Sequence, residues 1–137
     1  MVHDMIDLNK RKSTPGEYST VCPYLMVRDI KEEVTFLHKV FQAPVKEEEF
    51  DEQGALMQAE VVVGEVLIMM GLVGPEWPGH PGMNYVFVDD VDQVYRLALE
   101  LGANSLMEPG DRHYHLREAG FSDKNDHQWW IAQPVSK

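Results

Sequence analysis

Apolar residues recur along this chain at two spacings, and the changes between them divide it into short elements. From Ile30, apolar side chains return at Val34, Leu37 and Phe41, the three-to-four-residue step of one helix face. Val91, Tyr95, Ala98 and Leu101 repeat that step later in the chain. Elsewhere the pattern shifts to short runs punctuated by Gly, Pro, Asp and Asn. The first half has PYLMV, VKEEEF, ALMQAEVVV and VLIMM; the second has NYVFV, NSLME, EAGFS and QWWIA. Runs of this length and punctuation predict strands. Turns are expected at DEQG, at Gly64-Glu65 and at DKND, with a longer polar loop through Pro109-Gly110. Each half therefore reads β-α-β-β-β.

The halves also match in sequence. PYLMVRDI from Pro23 aligns with NYVFVDDV from Asn84 at an offset of 61, since 84 − 23 = 61. Asp29 precedes the first helix with Glu32 three residues on, and Asp90 precedes the second with Gln93 three residues on. Both are capping-box spacings, which satisfy helix-start N–H groups with side chains. The first helix should stop before Pro44 and the second at Gly102. The expected fold is α+β: two βαβββ modules related by a pseudo-twofold, forming a curved sheet with helices on one face and a cleft on the other. The expected boundaries are a polar arm at 1–19, a first module at 20–71, a Gly/Pro linker at 72–82, a second module at 83–133 and a tail at 134–137.

Composition narrows the function. The formal charge of −11 over 137 residues argues against nucleic acid and anionic membrane partners. Lys10, Arg11 and Lys12 form an isolated basic run, read as a solvated tail. A single cysteine, Cys22, excludes an intrachain disulfide framework and fits a reducing compartment. No run is long and apolar enough to span a bilayer, and the start lacks a signal-peptide pattern, so a soluble, cytoplasmic protein is expected. There is no phosphate-cradling glycine loop and no G-x-S-x-G elbow.

PYLMVRDIKEEVTFLHKVFQA resembles the opening of the vicinal oxygen chelate superfamily, which includes glyoxalases, bleomycin-resistance proteins and extradiol dioxygenases. Gln58-Ala59-Glu60, Gly64 and Leu67-Ile68-Met69 look more narrowly like its PhnB-type branch. REAGFSDKNDHQWWIA is similar to that family's R-x-A-x-x-x-D-P-x-G-(N/H)-x-W-x-I-A ending, with Lys124 and Asp126 where the family has Pro and Gly. Asn or Asp tolerates the left-handed conformation a tight turn needs, so the hairpin should survive.

In metal-dependent relatives, His, Gln or Glu from the first and fourth strands of each half hold a divalent ion. The resemblance places those positions at Cys22, about Met69, Met83 and Trp130, none of them a carboxylate or imidazole. The expectation is no cofactor, with a divalent metal as the alternative. The same carry-over turns Cys22, Tyr24 and Met26, then Met83, Tyr85, Phe87 and Trp130, into the cleft. Trp129 and the aliphatic Leu25, Val27, Val86 and Val88 then face the helices. Gln58 and Glu60 are candidate orienting groups for a small organic ligand, although Glu60 also reads as a solvated residue or a partner of Arg117. Arg117 reads either as a clamp for an anionic or carbonyl-bearing ligand or as a structural link.

Glu60, His113, His115 and His127 are the only candidates for a displaced metal site, and the two loop histidines share a face only if their segment is extended. His127 is expected to brace the hairpin, and Cys22 to be a small buried hydrophobe. Three readings follow. The first is a metal-free binder of an apolar or aromatic compound, without enzyme activity. The others are a metal-dependent lyase, isomerase or dioxygenase, and an interaction module with a filled cleft. A homodimer is expected because chains of this family commonly pair, sometimes exchanging modules.

Overall fold

Two aspartates start the helices. Asp29 accepts from the N–H of Glu32 at 3.0 Å and Asp90 from that of Gln93 at 3.1 Å, the predicted caps. The computed structural model describes residues 18–135, so the basic run at 10–12 lies outside the described residues. The first module runs β1 (Tyr24–Val27), α1 (Ile30–Phe41), β2 (Val45–Phe50), β3 (Leu56–Val63) and β4 (Val66–Leu72). The second runs β5 (Met83–Phe87), α2 (Val91–Glu100), β6 (Asn104–Asp111), β7 (Leu116–Ser122) and β8 (Gln128–Pro134). Gln42, with φ 57°, ends α1 in the left-handed conformation.

The sheets repeat one topology, β1-β4-β3-β2 and β5-β8-β7-β6, with the first and last strands of each module parallel. Tyr24 lies opposite Met69 and Tyr85 opposite Trp130, so the 61-residue repeat holds in register as well as in sequence. No ladder joins β1 to β5; the modules meet through side chains instead. Phe36 and Phe41 of α1 pack on Phe121 and Trp129 of the second module, with ring centroids 5.4–6.4 Å apart. The inner faces of both sheets and both helices thus share one core, in which Trp129 is fully buried.

Two local differences from the sequence reading have simple causes. β6 continues through Pro109-Gly110 to Asp111, where a loop was expected. It is an edge strand with a register shift there, so a residue without an N–H is tolerated. The β7–β8 turn survives the loss of Pro and Gly because Asp126 itself takes φ 68°. Among the described residues, no helix is long and apolar enough to cross a membrane.

Candidate functional site

On the side of each sheet away from the shared core, the second module presents an aromatic wall. Strand alternation turns Met83, Tyr85 and Phe87 outward from β5, and they are 67%, 47% and 66% exposed. The Tyr85 and Phe87 rings meet edge to face at 5.4 Å. Beside them the Trp130 indole lies against Gly120, where a Cβ would come within 2.6 Å of the ring. Only glycine lets the ring settle onto β7. The indole N–H is satisfied by Gln128 Oε1 at 3.0 Å.

Glu118 anchors this wall, and the sequence reading passed over it. Its carboxylate is nearly buried, accepts from the hydroxyls of Tyr85 and Tyr114, and has Arg112 Nε at 3.7 Å. Burial first, and then the Glu118 hydrogen bond and charge, hold the Tyr85 phenol well above its usual range. The hydrogen bond to Glu118 does the same for Tyr114. At neutral pH both are therefore phenols donating to the carboxylate.

The first module repeats the motif in weaker form. The Tyr24 ring crosses Gly71, where a Cβ would lie 2.9 Å from its hydroxyl, and meets Gln58 Nε2 at 3.2 Å. Tyr85 likewise crosses β8 to reach Glu118 on β7, whose β8 partner is Ala132. Gln58 is the β3 partner of Gly71, so Gln58 and Glu118 are equivalent positions. Glu60 accepts from the Tyr18 hydroxyl at 2.8 and 2.7 Å, which pushes that phenol up to about 12. Met69 is partly buried on this face, on β4 directly opposite Glu60 of β3. Met26 is covered by the linker, since a Cβ on Gly79 would fall 2.4 Å from its own.

Other candidates do not join these sets. Arg117 shares a face with Ala119 and Phe121, not with Trp130. Its Nε and Nη2 donate to Asp92 at 2.6 and 2.8 Å and its Nη1 to Asp111 at 2.9 Å, tying α2 to β6 and β7. These bonds, Asp92 foremost, raise the guanidinium further and hold Asp92 below its usual range. Glu60 and Arg117 thus have separate partners. His113 and His115 sit in a tight turn, His115 with φ 66°, so the extended segment that would align them does not form.

His127 is buried and spans the modules. Nδ1 accepts from Gly82 N–H at 2.9 Å, which fixes the proton on Nε2, donated to the Met26 carbonyl at 2.9 Å. Neither nitrogen is left for a metal. Cys22 precedes β1, is partly buried, and donates to the Ser19 carbonyl at 3.3 Å.

The model of the Glyoxalase/Bleomycin resistance protein/Dioxygenase superfamily matches residues 19–131. The chain belongs to that family. Among solved structures, this glyoxalase-family chain resembles TioX from Micromonospora sp. ML1, at 19% identity and TM-score 0.68, over 84% of this chain and 99% of that one. It also resembles a glyoxalase/bleomycin resistance protein/dioxygenase family enzyme from Burkholderia phytofirmans PsJN, at 18% identity and TM-score 0.66, over 82% and 95%. A third is the fosfomycin resistance protein FosX from Listeria monocytogenes complexed with Mn(II) and sulfate, at 16% identity and TM-score 0.63, over 84% and 91%. No curated protein is similar enough in sequence to count as a relative.

The metal that the family implies does not fit this donor set. Met69 and Trp130 occupy the paired fourth-strand positions, and Met83 starts β5. Thioethers and an indole are poor ligands for hard or borderline divalent ions. Among the described residues, no group of three or more His, Cys, Asp or Glu side chains is placed to hold an ion.

Proposed function

We propose that this chain is a metal-free binder of a small organic compound, seated on the outer face of the second module. The observation that carries this reading is the aromatic wall of Tyr85, Phe87 and Trp130, mounted on rigid strands and still open in the single chain. Flat apolar surfaces stack well on such rings, each pair contributing roughly 0.5–1.5 kcal/mol beyond burial. The charged groups of the outer faces are mainly carboxylates, Glu60 and Glu118, in a chain of net charge −11. The ligand class is therefore a neutral or cationic aromatic compound, with anions disfavoured. The resistance proteins named in the family and among its structural neighbours support a small-molecule ligand. A second copy of the chain would cover what the ligand leaves open, giving a homodimer.

The test is a titration with pyrene and acridine orange, a neutral and a cationic probe, followed by tryptophan fluorescence. Saturable binding is expected. Trp130→Ala should weaken it by about 2 kcal/mol, roughly thirtyfold. Equal affinity in the variant would overturn the assigned seat. Near-stoichiometric Zn, Ni, Fe or Mn in protein purified without chelators would overturn the metal-free reading. Light scattering at twice the 15.7 kDa chain mass would support the dimer.

A further inference from the structure

Glu33 is a buried acid that the outer faces leave unexplained. It lies on α1 between Ile30 and Leu37, on the stripe that packs into the core, and is 1% exposed. Its Oε1 accepts from Asn125 Nδ2 at 2.9 Å. Its Oε2 is buried and, as a carboxylate oxygen, has no hydrogen-bond donor among the described residues. Its neighbour is another acid, Asp123, in the β7–β8 turn: both bond to Asn125, Glu33 to its side-chain amide and Asp123 to its backbone N–H, and both line one cavity.

Asp123 already has the donors a carboxylate needs. Oδ1 accepts from the backbone N–H of Asn125 at 2.9 Å and of His127 at 3.1 Å, and Oδ2 from Trp129 Nε1 at 2.8 Å. Three N–H donors thus satisfy both oxygens of the Asp123 side chain, and all three need an acceptor. A second buried carboxylate against it would be repelled, and its orphan oxygen would go unsatisfied. One proton on Glu33 removes both faults, because the acid O–H then donates to Asp123.

We propose that Glu33 and Asp123 form a carboxylic acid–carboxylate pair sharing one proton across the boundary between the modules, which makes that boundary a proton-dependent latch. The same turn is fastened nearby, where Asn125 Oδ1 accepts from Arg28 N–H at 2.9 Å. Arg28 also donates to Asp126 Oδ2 at 3.1 Å and to the Lys124 carbonyl at 2.5 Å. A cavity of about 350 Å³ beside the pair gives the proton access to solvent. Around it, α1 and its cap contribute Asp29, Lys31, Glu32 and Lys39, the turn contributes Lys124, and the end of α2 contributes the apolar Leu101. His127, on the far side of the turn, is committed to Gly82 and Met26.

The sign of the pH effect follows from the direction of the shift. Burial first, then the Asp123 hydrogen bond and charge, raise Glu33 from 4.5 to about 9, with Glu32 adding to the rise and Asn125 opposing it. A group whose folded value lies above its unfolded one favours folding in its protonated form. The contribution is complete below 4.5 and is lost as the pH rises through about 9. Across that window the folding equilibrium falls by up to about tenfold per pH unit.

Glu33→Gln tests the latch, because its amide keeps the shape and donates to Asp123 at every pH. Unfolding midpoints of the wild type should fall from pH ~5 to ~9, while the variant loses that component and is the more stable protein near pH 8. The Glu33 carboxyl carbon, assigned by its loss in the variant, should read as protonated in neutral solution by NMR. Identical pH slopes in the two proteins, or a Glu33 carbon that titrates in the ordinary carboxylate range, would overturn the proposal. If the variant does not fold, the same carbon, assigned in the wild type through its bonds to the Glu33 side chain and backbone, is titrated in the wild-type protein and decides alone.

Discussion

The two modules share a register but close their last hairpins differently. In the first, Gly64-Glu65 forms a two-residue turn, with Gly64 at φ 60° as a II′ turn requires. In the second, Asp123 N–H donates to the His127 carbonyl at 2.9 Å, and the turn they close, Lys124-Asn125-Asp126, is one residue longer. That extra length lets Asn125 and His127 reach the first module, at Arg28, Glu33 and Met26. Among the described residues the Gly64-Glu65 turn makes no such bridge, and a groove of about 660 Å³ remains between it and the start of α2. Pseudo-symmetry thus supplies two similar seams, and one polar turn locks only one of them.

The strongest way to break this comparison is to remove its central carboxylate. Asp123→Ala deprives two backbone N–H groups and the Trp129 indole of their acceptor inside the core. Each stranded donor costs about 1–3 kcal/mol, so a loss of about 4 kcal/mol is expected in denaturant unfolding, with Glu33 relieved of its charged neighbour as partial compensation. A loss below about 1 kcal/mol would mean that the turn does not hold the modules together.

The outer faces differ in a parallel way. Tyr24 meets a neutral Gln58, whereas Tyr85 and Tyr114 both donate to Glu118. Glu118→Gln offers one oxygen to two phenols, so one is mispaired, at a cost of about 2 kcal/mol. The phenols should also separate on titration. Tyr114 is raised chiefly by its bond to Glu118 and should return toward its ordinary range, while Tyr85, raised first by burial, should return only in part. Phenolate absorbance against pH measures both, and equal recovery of the two would show that burial is not what distinguishes them. In the wild type, these raised values favour folding below the ordinary tyrosine range, and the contribution is lost as the pH climbs through them.

The elements were legible in the sequence because each has a clean period and a marked start. Val86 and Val88 alternate with Tyr85 and Phe87, and the outward turn of the aromatics follows from that alone. Glu118 was hidden by a change of offset. β1 and β4 repeat at 61, but the extra residue in the second turn shifts β3 and β7 to 60, so Gln58 corresponds to Glu118. Arg117 resembled a family arginine, yet its parity with Phe121 and Trp129 already placed it on the helix side. Glu33 stands in the charged stretch KEE, yet it falls three residues after Ile30 on the apolar stripe. Its partners Asp123 and Asn125 lie 90 and 92 residues away, beyond any local pattern.

Arg117 provides a smaller and sharper contrast with Glu118. It is equally well bonded, but at the surface, with its side chain 29% exposed and that of Asp92 47% exposed. Screening limits such pairs, so Arg117→Ala should cost about 1 kcal/mol, and less in high salt. Acridine orange should bind the variant as it binds the wild type. A tenfold loss of affinity without loss of stability would return Arg117 to the binding face.

The smallest expected effect completes the comparison between the seams. Glu65 occupies the β3–β4 turn, exposed, at the rim of the open groove, and is flanked by valines that stay in register without it. The turn is set by Gly64, not by this side chain, and a surface glutamate without a fixed geometry holds little free energy. Glu65→Ala should therefore change stability by no more than about 0.5 kcal/mol. Even a slight gain is consistent, because Asp89 and Asp90 line the same groove and a like charge would be removed from it. A loss comparable to that of Asp123→Ala would show that the first turn also fastens the modules, and the asymmetry between the two seams would disappear.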